Sequence, residues 1–270
     1  MIHTYNEYHL GDNLIHLNFL RKVALQEPHL DFTHHCSPQY HSQLEPLCEG
    51  VAIELADLSI PPSSIHAWIG RENYYHNHSL RRKWAQFHLA WFDHLSDLME
   101  VGNPIACVED LLFDYPALSA PSRYEFDYLI VNSPPQSGQL PSYTPQFFEK
   151  RVRDLANQGL KVITTYPTGM CPCTLEAKYT VTDIGVLSKS VSYIYGIDTG
   201  PMWTTHNIFN QNSVVQRLIY TNASDSFDLS KNVIVKQALE NWNFFWGGIG
   251  EGYALHRTQT HSLGQITLML

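Results

Sequence analysis

Three observations predict an α/β fold with parallel sheets, arranged as two halves. Short β-prone runs alternate with helix-period stretches along the chain, the pattern of strands joined by helical crossovers. Six of the 15 prolines fall within residues 116–145. Proline resists helix interiors and central strands, so a boundary belongs near residues 116–123. Charge divides at the same place: residues 1–120 carry 6 basic and 15 acidic side chains, whereas residues 121–270 carry 11 of each. The domains are therefore read as 1–120 and 121–270.

In the first half, residues 2–5 form a short β-prone run, and a polar loop leads to Gly11-Asp12. Leu14, Leu17, Leu20 and Ala24 then recur at helical spacing, with Asp12 where an N-cap belongs. Residues 30–33, 51–55 and 65–69 read as strands, and 41–48 as a short helix or turn. Residues 80–99 give the clearest helix, with Trp84, Phe87, Trp91, Leu95 and Leu98 on one stripe. In the second half, residues 126–131 read as a buried strand. Residues 145–157 read as a helix opened by Thr144 and closed by Gly159. Strands follow at 161–165, 191–197 and 218–220, and helices at 182–188, from Pro201 through 209, and at 232–245.

Composition excludes several classes. Of 270 residues, 44% are apolar and 16% charged, enough for a packed core and too little charge for a disordered chain. A net charge of -9 argues against binding nucleic acid, which draws its affinity from a basic excess. No run approaches the 18 apolar residues of a membrane span, and residues 1–10 lack the pattern of a secretory signal. Five cysteines suit a reducing compartment better than a disulfide framework. The expected location is cytoplasmic, with room for peripheral association at the inner membrane.

Three segments can carry chemistry. Gly11-Asp12-Asn13-Leu14 follows the first strand and opens the first helix, where open α/β sheets bind ligands. Asp12 there reads equally as a helix cap and as a catalytic group. Asp198-Thr199-Gly200-Pro201-Met202 is a second strand–turn–helix junction whose free N–H groups suit a phosphate. Asn132-Ser133-Pro134-Pro135-Gln136-Ser137-Gly138 is a polar loop after a strand, without the Gly-Lys-Ser/Thr of a phosphate-binding Walker loop.

Taken together and in this order, the segments resemble the heptosyltransferase-like glycosyltransferases (glycosyltransferase family 9, GT-B fold). The matches are the Gly11-Asp12-Asn13-Leu14 turn, with Leu20-Arg21 later in the same helix, the small-residue loop after residue 131, and Asp198-Thr199-Gly200-Pro201-Met202. The resemblance implies two Rossmann-like domains with parallel sheets facing a central cleft, compact and GT-B-like. It implies an inverting glycosyltransferase, moving a sugar from a nucleotide-sugar donor to a glycan, glycolipid or other hydroxyl acceptor. Asp12 would be the general base. Asn132, Ser133, Ser137, Gly138, Asp198, Thr199, Gly200, Met202 and His206 would surround the donor diphosphate. The first half would hold the acceptor, with Gly11 and Asn13 beside the base. No metal or other cofactor is implied. Two departures stand out: Trp203 replaces the family's His after Pro-Met, and no Lys lies between Arg123 and Lys150. They keep open a catalytically degenerate, glycan-binding or scaffold relative. A sugar-nucleotide epimerase is a third reading. A dehydrogenase is disfavoured because no Gly-x-Gly-x-x-Gly follows the first strand.

Histidine is in excess, with 12 of 15 at or before His94. His9 and His16 flank Asp12 and could orient a sugar hydroxyl, and Arg71 ends a β-prone run that points the same way. Each also reads as an ordinary surface side chain. His34-His35-Cys36 and Cys171-x-Cys173 match no standard zinc spacing, so no metal site is expected.

Overall fold

A computed structural model describes residues 1–69, 84–123, 125–135, 143–221 and 233–237. Two sheets organise them. The first holds β1 (Ile2–Asn6), β2 (Phe32–Cys36), β3 (Ile53–Ala56) and β4 (Ile65–His66) in the order β3-β2-β1-β4. The second holds β5 (Tyr128–Val131), β6 (Val162–Thr164), β7 (Tyr193–Ile197), β8 (Gln216–Thr221) and β9 (Val233–Gln237) in the order β6-β5-β7-β8-β9. Every strand pair in both sheets is parallel. The α/β class with two parallel-sheet units is therefore the one observed.

The helices are α1 (Leu10–Gln26), α2 (His41–Cys48), α3 (Trp84–Met99), α4 (Glu149–Asn157), α5 (Val181–Leu187) and a single turn, α6 (Gly200–Trp203). Helix α1 is buried along most of its length, so even its polar residues need partners. Arg21 donates to the carbonyls of Leu47 and Glu49, and Asn18 to that of Leu111. Lys22 pairs with Asp114. In α3 the buried stripe runs through Phe87, Trp91, Phe92, Leu95 and Met99, leaving Leu98 exposed. The helical turn carries the stripe to Met99 instead of the expected Leu98. Thr180 caps α5 by accepting from the Asp183 N–H, and Asp183 returns a bond from the Thr180 N–H.

Strand alternation in the second sheet divides the core. Tyr128 and Ile130 face one side, with Phe148, Val152 and Leu155 of the α4 region. Leu129 and Val131 face the other, in a cluster that also takes in Leu14, Leu17 and Leu20 of α1, Phe92 of α3 and Trp203 of α6. One apolar core thus passes through both halves. The expected boundary near residue 120 falls between the 3-10 turn Pro116–Ser119 and β5.

Several expected elements change: the strand expected over 30–33 lies at Phe32–Cys36, and the one expected over 65–69 is confined to Ile65–His66. The helix expected over 232–245 begins as strand β9, because the β-branched run Val233-Ile234-Val235 pairs with β8 from Arg217 to Thr221; residues 238–245 lie outside the described part. The helix expected from Pro201 to residue 209 is interrupted: α6 ends at Trp203, and a 3-10 turn spans Ile208–Asn210. The helix expected over 145–157 opens as a 3-10 turn, Pro145–Phe148, before α4. No described helix is long and apolar enough to cross a membrane.

Gly196 sets the spacing between β5 and β7. A Cβ on it would stand 2.4 Å from the Val131 carbonyl oxygen and 2.6 Å from the Val131 Cβ. Gly196→Ala should therefore destabilise the protein by about 1–3 kcal/mol, the usual cost of overpacking a core, read as a lower midpoint in urea.

Candidate functional site

Strand order fixes where a ligand can bind. In an open parallel sheet, a crevice forms at the carboxyl ends of two adjacent strands whose outgoing connections leave in opposite directions. In the first sheet the order β3-β2-β1-β4 puts that point between β1 and β4. In the second, β6-β5-β7-β8-β9 puts it between β5 and β7. The Gly11–Leu14 turn follows β1, the Asn132-Ser133 loop follows β5, and the Asp198–Met202 turn follows β7. All three sequence segments lie at switch points.

The first crevice is built around the start of α1. Its N-cap is His9, in extended conformation, and not Asp12. Asp12 sits inside the first turn, where the helix dipole favours a negative charge. Its side chain is 31% exposed, with its Oδ2 3.6 Å from His9 Nδ1. The helix begins three residues earlier than expected, and the His9 carbonyl accepts from the Asn13 N–H at 3.2 Å and from Asn13 Nδ2 at 2.9 Å. Asp12 is thereby spared from capping and turned to a cleft lined also by Ile15, His16, Ala67, Ile69, His88, Trp91 and Phe92. The cleft is shallow: its enclosed space is about 10 Å³, room for one water-sized group, and it opens outward. A single hydroxyl-sized group fits there. Near it, the Tyr8 and Trp68 rings lie 4.0 Å apart between centroids, and Tyr5 stacks on His66 at 4.4 Å.

The second crevice is more tightly tied. Asn132 is fully buried: its Nδ2 donates to the Tyr166 carbonyl, and its Oδ1 accepts from the Tyr166 N–H. Ser133 donates its hydroxyl to Thr165 Oγ1. Both side chains fix the loop to the end of β6. Met202 and His206 are buried in the core, 0% and 1% exposed, and burial holds the His206 imidazole well below its usual pKa. Thr199 differs: its Oγ1 is buried and has no hydrogen-bond partner among the described residues. Arg71, Ser137 and Gly138 lie outside the described residues.

The two crevices touch. Gly11 lacks a side chain where one would meet Trp203: a Cβ there would stand 2.9 Å from the indole Nε1 and 3.5 Å from the Gly200 Cα. The first turns of α1 and α6 therefore lie directly against each other.

The sequence reading missed Thr4 and the role of His34. Strand β2 is buried at all five positions, with His34 at its centre. His34 Nε2 lies 2.8 Å from Asn13 Oδ1 and its Nδ1 2.9 Å from Thr4 Oγ1; His16 Nε2 lies 3.2 Å from the same Thr4 oxygen. A strand run lacking alternation yet containing two histidines was the available signal. His35 instead contacts His3 and the Asp57 carbonyl. Among the described residues, no three His, Cys, Asp or Glu side chains stand together to hold a metal ion.

Burial pushes the His34 pKa down to about 3 and lowers that of His16 as well. In the unfolded chain a histidine titrates near ~6.5. Between those values the unfolded state binds the proton first. The stability supplied by neutral His34 is thus complete above about pH 6.5 and drains as pH falls. From pH 7.5 to 5, His34→Gln should lose about 2 kcal/mol less stability than the parent protein, measured by urea unfolding at both pH values. Equal losses would show that His34 takes up its proton in the native state.

No protein-family model and no curated protein matches the chain. Solved structures do. The Escherichia coli heptosyltransferase WaaC with ADP aligns with a TM-score of 0.53 at 10% identity, over 92% of this chain and 97% of its own. E. coli ADP-heptose lps heptosyltransferase II aligns at 0.51 and 11% identity, over 89% and 92%. The dodecameric iron-containing heptosyltransferase TibC, in complex with ADP-D-beta-D-heptose, aligns at 0.50 and 13% identity over 89% of this chain. The chain spans 62% of the length of TibC. Identities this low speak for architecture, and the architecture agrees with the sequence resemblance: the chain has the two-sheet, GT-B-like α/β fold of the heptosyltransferases.

Proposed function

We propose that this protein is an inverting glycosyltransferase that moves a sugar from a nucleotide-sugar donor, with an ADP-sugar as the first candidate, to a hydroxyl acceptor such as a glycan or glycolipid. The observation that carries the reading is the position of Asp12. It is a carboxylate relieved of capping, on a cleft at one switch point, one residue from the contact with the turn at the other.

In this reading Asp12 takes the proton of the acceptor hydroxyl as that oxygen attacks the anomeric carbon. The donor diphosphate leaves from the opposite face, so the anomeric centre inverts. Gly11 and Asn13 set the position of Asp12, and His9 and His16 border the acceptor. Arg71 joins them on the sequence expectation alone. The diphosphate lies against the carboxyl ends of β5 and β7. There the Thr199 hydroxyl, still without a partner among the described residues, donates to a phosphate oxygen. Gly200 lets the first turn of α1 pack against the donor turn, and Asp198 orients that turn. Asn132 and Ser133 hold the loop's shape, and Met202 and His206 support the turn from beneath. Ser137 and Gly138 complete the donor loop in this proposal. Fixed dipoles aimed at the departing diphosphate stabilise its growing charge. The reaction so drawn calls for no metal. The net charge of -9 over residues 1–120 argues against a strongly anionic acceptor. We place the protein in the cytoplasm, with its acceptor presented from solution or from the inner membrane surface.

Two measurements test the reading. ADP at a hundredfold excess over its Kd should raise the melting temperature by about 5 °C or more; no response to any nucleoside diphosphate or its sugar would remove the donor assignment. Asp12→Asn should lower kcat by roughly 10²–10⁴ while leaving the melting temperature and the ADP response in place. Full activity in that variant would remove Asp12 as the base.

A further inference from the structure

The hydrogen bonds beneath the first crevice fix the state of one atom. The His9 carbonyl can only accept, so the Asn13 side chain must turn its NH₂ toward it, at 2.9 Å. Asn13 Oδ1 then faces His34 Nε2 at 2.8 Å and can only accept, so His34 carries its proton on Nε2. His34 is buried and neutral, which leaves its Nδ1 bare. The Thr4 hydroxyl, 2.9 Å away, must donate to that nitrogen. Thr4 has one proton and has now spent it, so its oxygen accepts from His16 Nε2 at 3.2 Å. His16 is neutral in turn, and its proton is on Nε2. What remains is His16 Nδ1, a bare lone pair. His16 is 2% exposed, lines the same cleft as Asp12, and its Nδ1 has no partner among the described residues. A buried acceptor left unpaired costs about 1–3 kcal/mol, a cost that a ligand donor would remove.

We infer that the Asn13–His34–Thr4–His16 chain holds His16 Nδ1 as a fixed hydrogen-bond acceptor for a sugar hydroxyl in the cleft beside Asp12. His16 would touch the acceptor sugar; Thr4, His34 and Asn13 are positioning residues that act through it. The assignment rests on the acceptor side of the proposed transfer reaction, but binding of a sugar hydroxyl at this nitrogen does not require transfer to occur. A fixed acceptor selects for a hydroxyl and against an ether or a deoxy position, since neither of those can donate. It also divides the work between two groups: His16 holds one hydroxyl in place while Asp12 is left for the hydroxyl that reacts.

The test uses the full chain labelled with ¹⁵N-histidine, followed by long-range ¹H–¹⁵N NMR at pH 7.5. His16 and His34 should both carry their proton on Nε2. Titration with methyl glucoside, methyl mannoside and methyl galactoside should move the His16 Nδ1 resonance saturably for at least one of them and leave His34 unchanged. Thr4→Val should release the His16 tautomer and weaken that response about tenfold. Thr4→Ser, which restores the hydroxyl, should recover both. The ADP-induced melting shift should be the same in all three proteins, which also reports that each is folded. A His16 proton on Nδ1, or no response to any of the glycosides, would overturn the inference. If ADP still bound in that case, the transfer reading would survive. A glycoside response without ADP binding would do the reverse, supporting this inference and sinking the transfer reading.

Discussion

Gly11 and Gly200 carry no side chains, and that allows the first turn of α1 to lie against the turn after β7 with the Trp203 indole packed beside them. Each turn belongs to a different sheet, and each stands at the carboxyl end of a strand beside a switch point. Their contact therefore brings the two switch-point crevices to one seam. The apolar core that runs from α1 through α3 to the second sheet holds the seam from behind. Interiors packed this densely deform little, so the separation between Asp12 and Thr199 is set by the fold more than by side-chain choice. A reaction between two substrates gains most from such fixed spacing, because orientation entropy is lost in folding and not at each encounter.

Much of this organisation was legible in the sequence, for identifiable reasons. Strands such as β5 are runs of buried apolar residues between loops, and helices such as α2 keep the expected ends, His41 and Cys48. Both signals are local. What failed was decided by pairings and single turns that residue type and periodicity do not show. Asp12 has good cap chemistry, but the helix starts at Leu10 with His9 as its cap, and the Asn13 side chain bonds the His9 carbonyl. Residues 233–237 stand among helix formers, yet they pair with β8 and become a strand. The 3-10 openings at Pro145–Phe148 and Ile208–Asn210 leave no periodic signature, because a single tight turn is too short to show one.

The histidine excess illustrates the same limit. In sequence, His34-His35-Cys36 has the composition of a metal site without its spacing. In the fold the two histidines point to opposite faces of β2, as adjacent strand residues must. His34 meets Thr4 and Asn13, whereas His35 meets His3 and Asp57. Residue type showed that something polar was placed in the core of the first half. Only the parallel register, which sets Thr4 beside His34 on neighbouring strands, shows what it pairs with.

Trp203 sharpens the donor side. The family pattern has His at this position. Here the side chain is 6% exposed and packs onto Gly11, so its place in the seam is structural. The same region has no Lys between Arg123 and Lys150. With Asn132 and Ser133 bonded to the end of β6, the Thr199 hydroxyl is a neutral donor with no hydrogen-bond partner among the described residues. Neutral donors act over bond lengths and are screened little by salt, whereas paired charges act over roughly a Debye length, ~8–10 Å. The charge balance agrees with such a site. The half that carries -9 would repel a diphosphate at long range, while the half beside Thr199 is neutral and neither attracts nor repels it. In the proposed reaction, donor recognition would depend on the fit of hydroxyl and backbone dipoles at the β5–β7 switch point, and selectivity there would follow from shape and hydrogen-bond geometry more than from net charge.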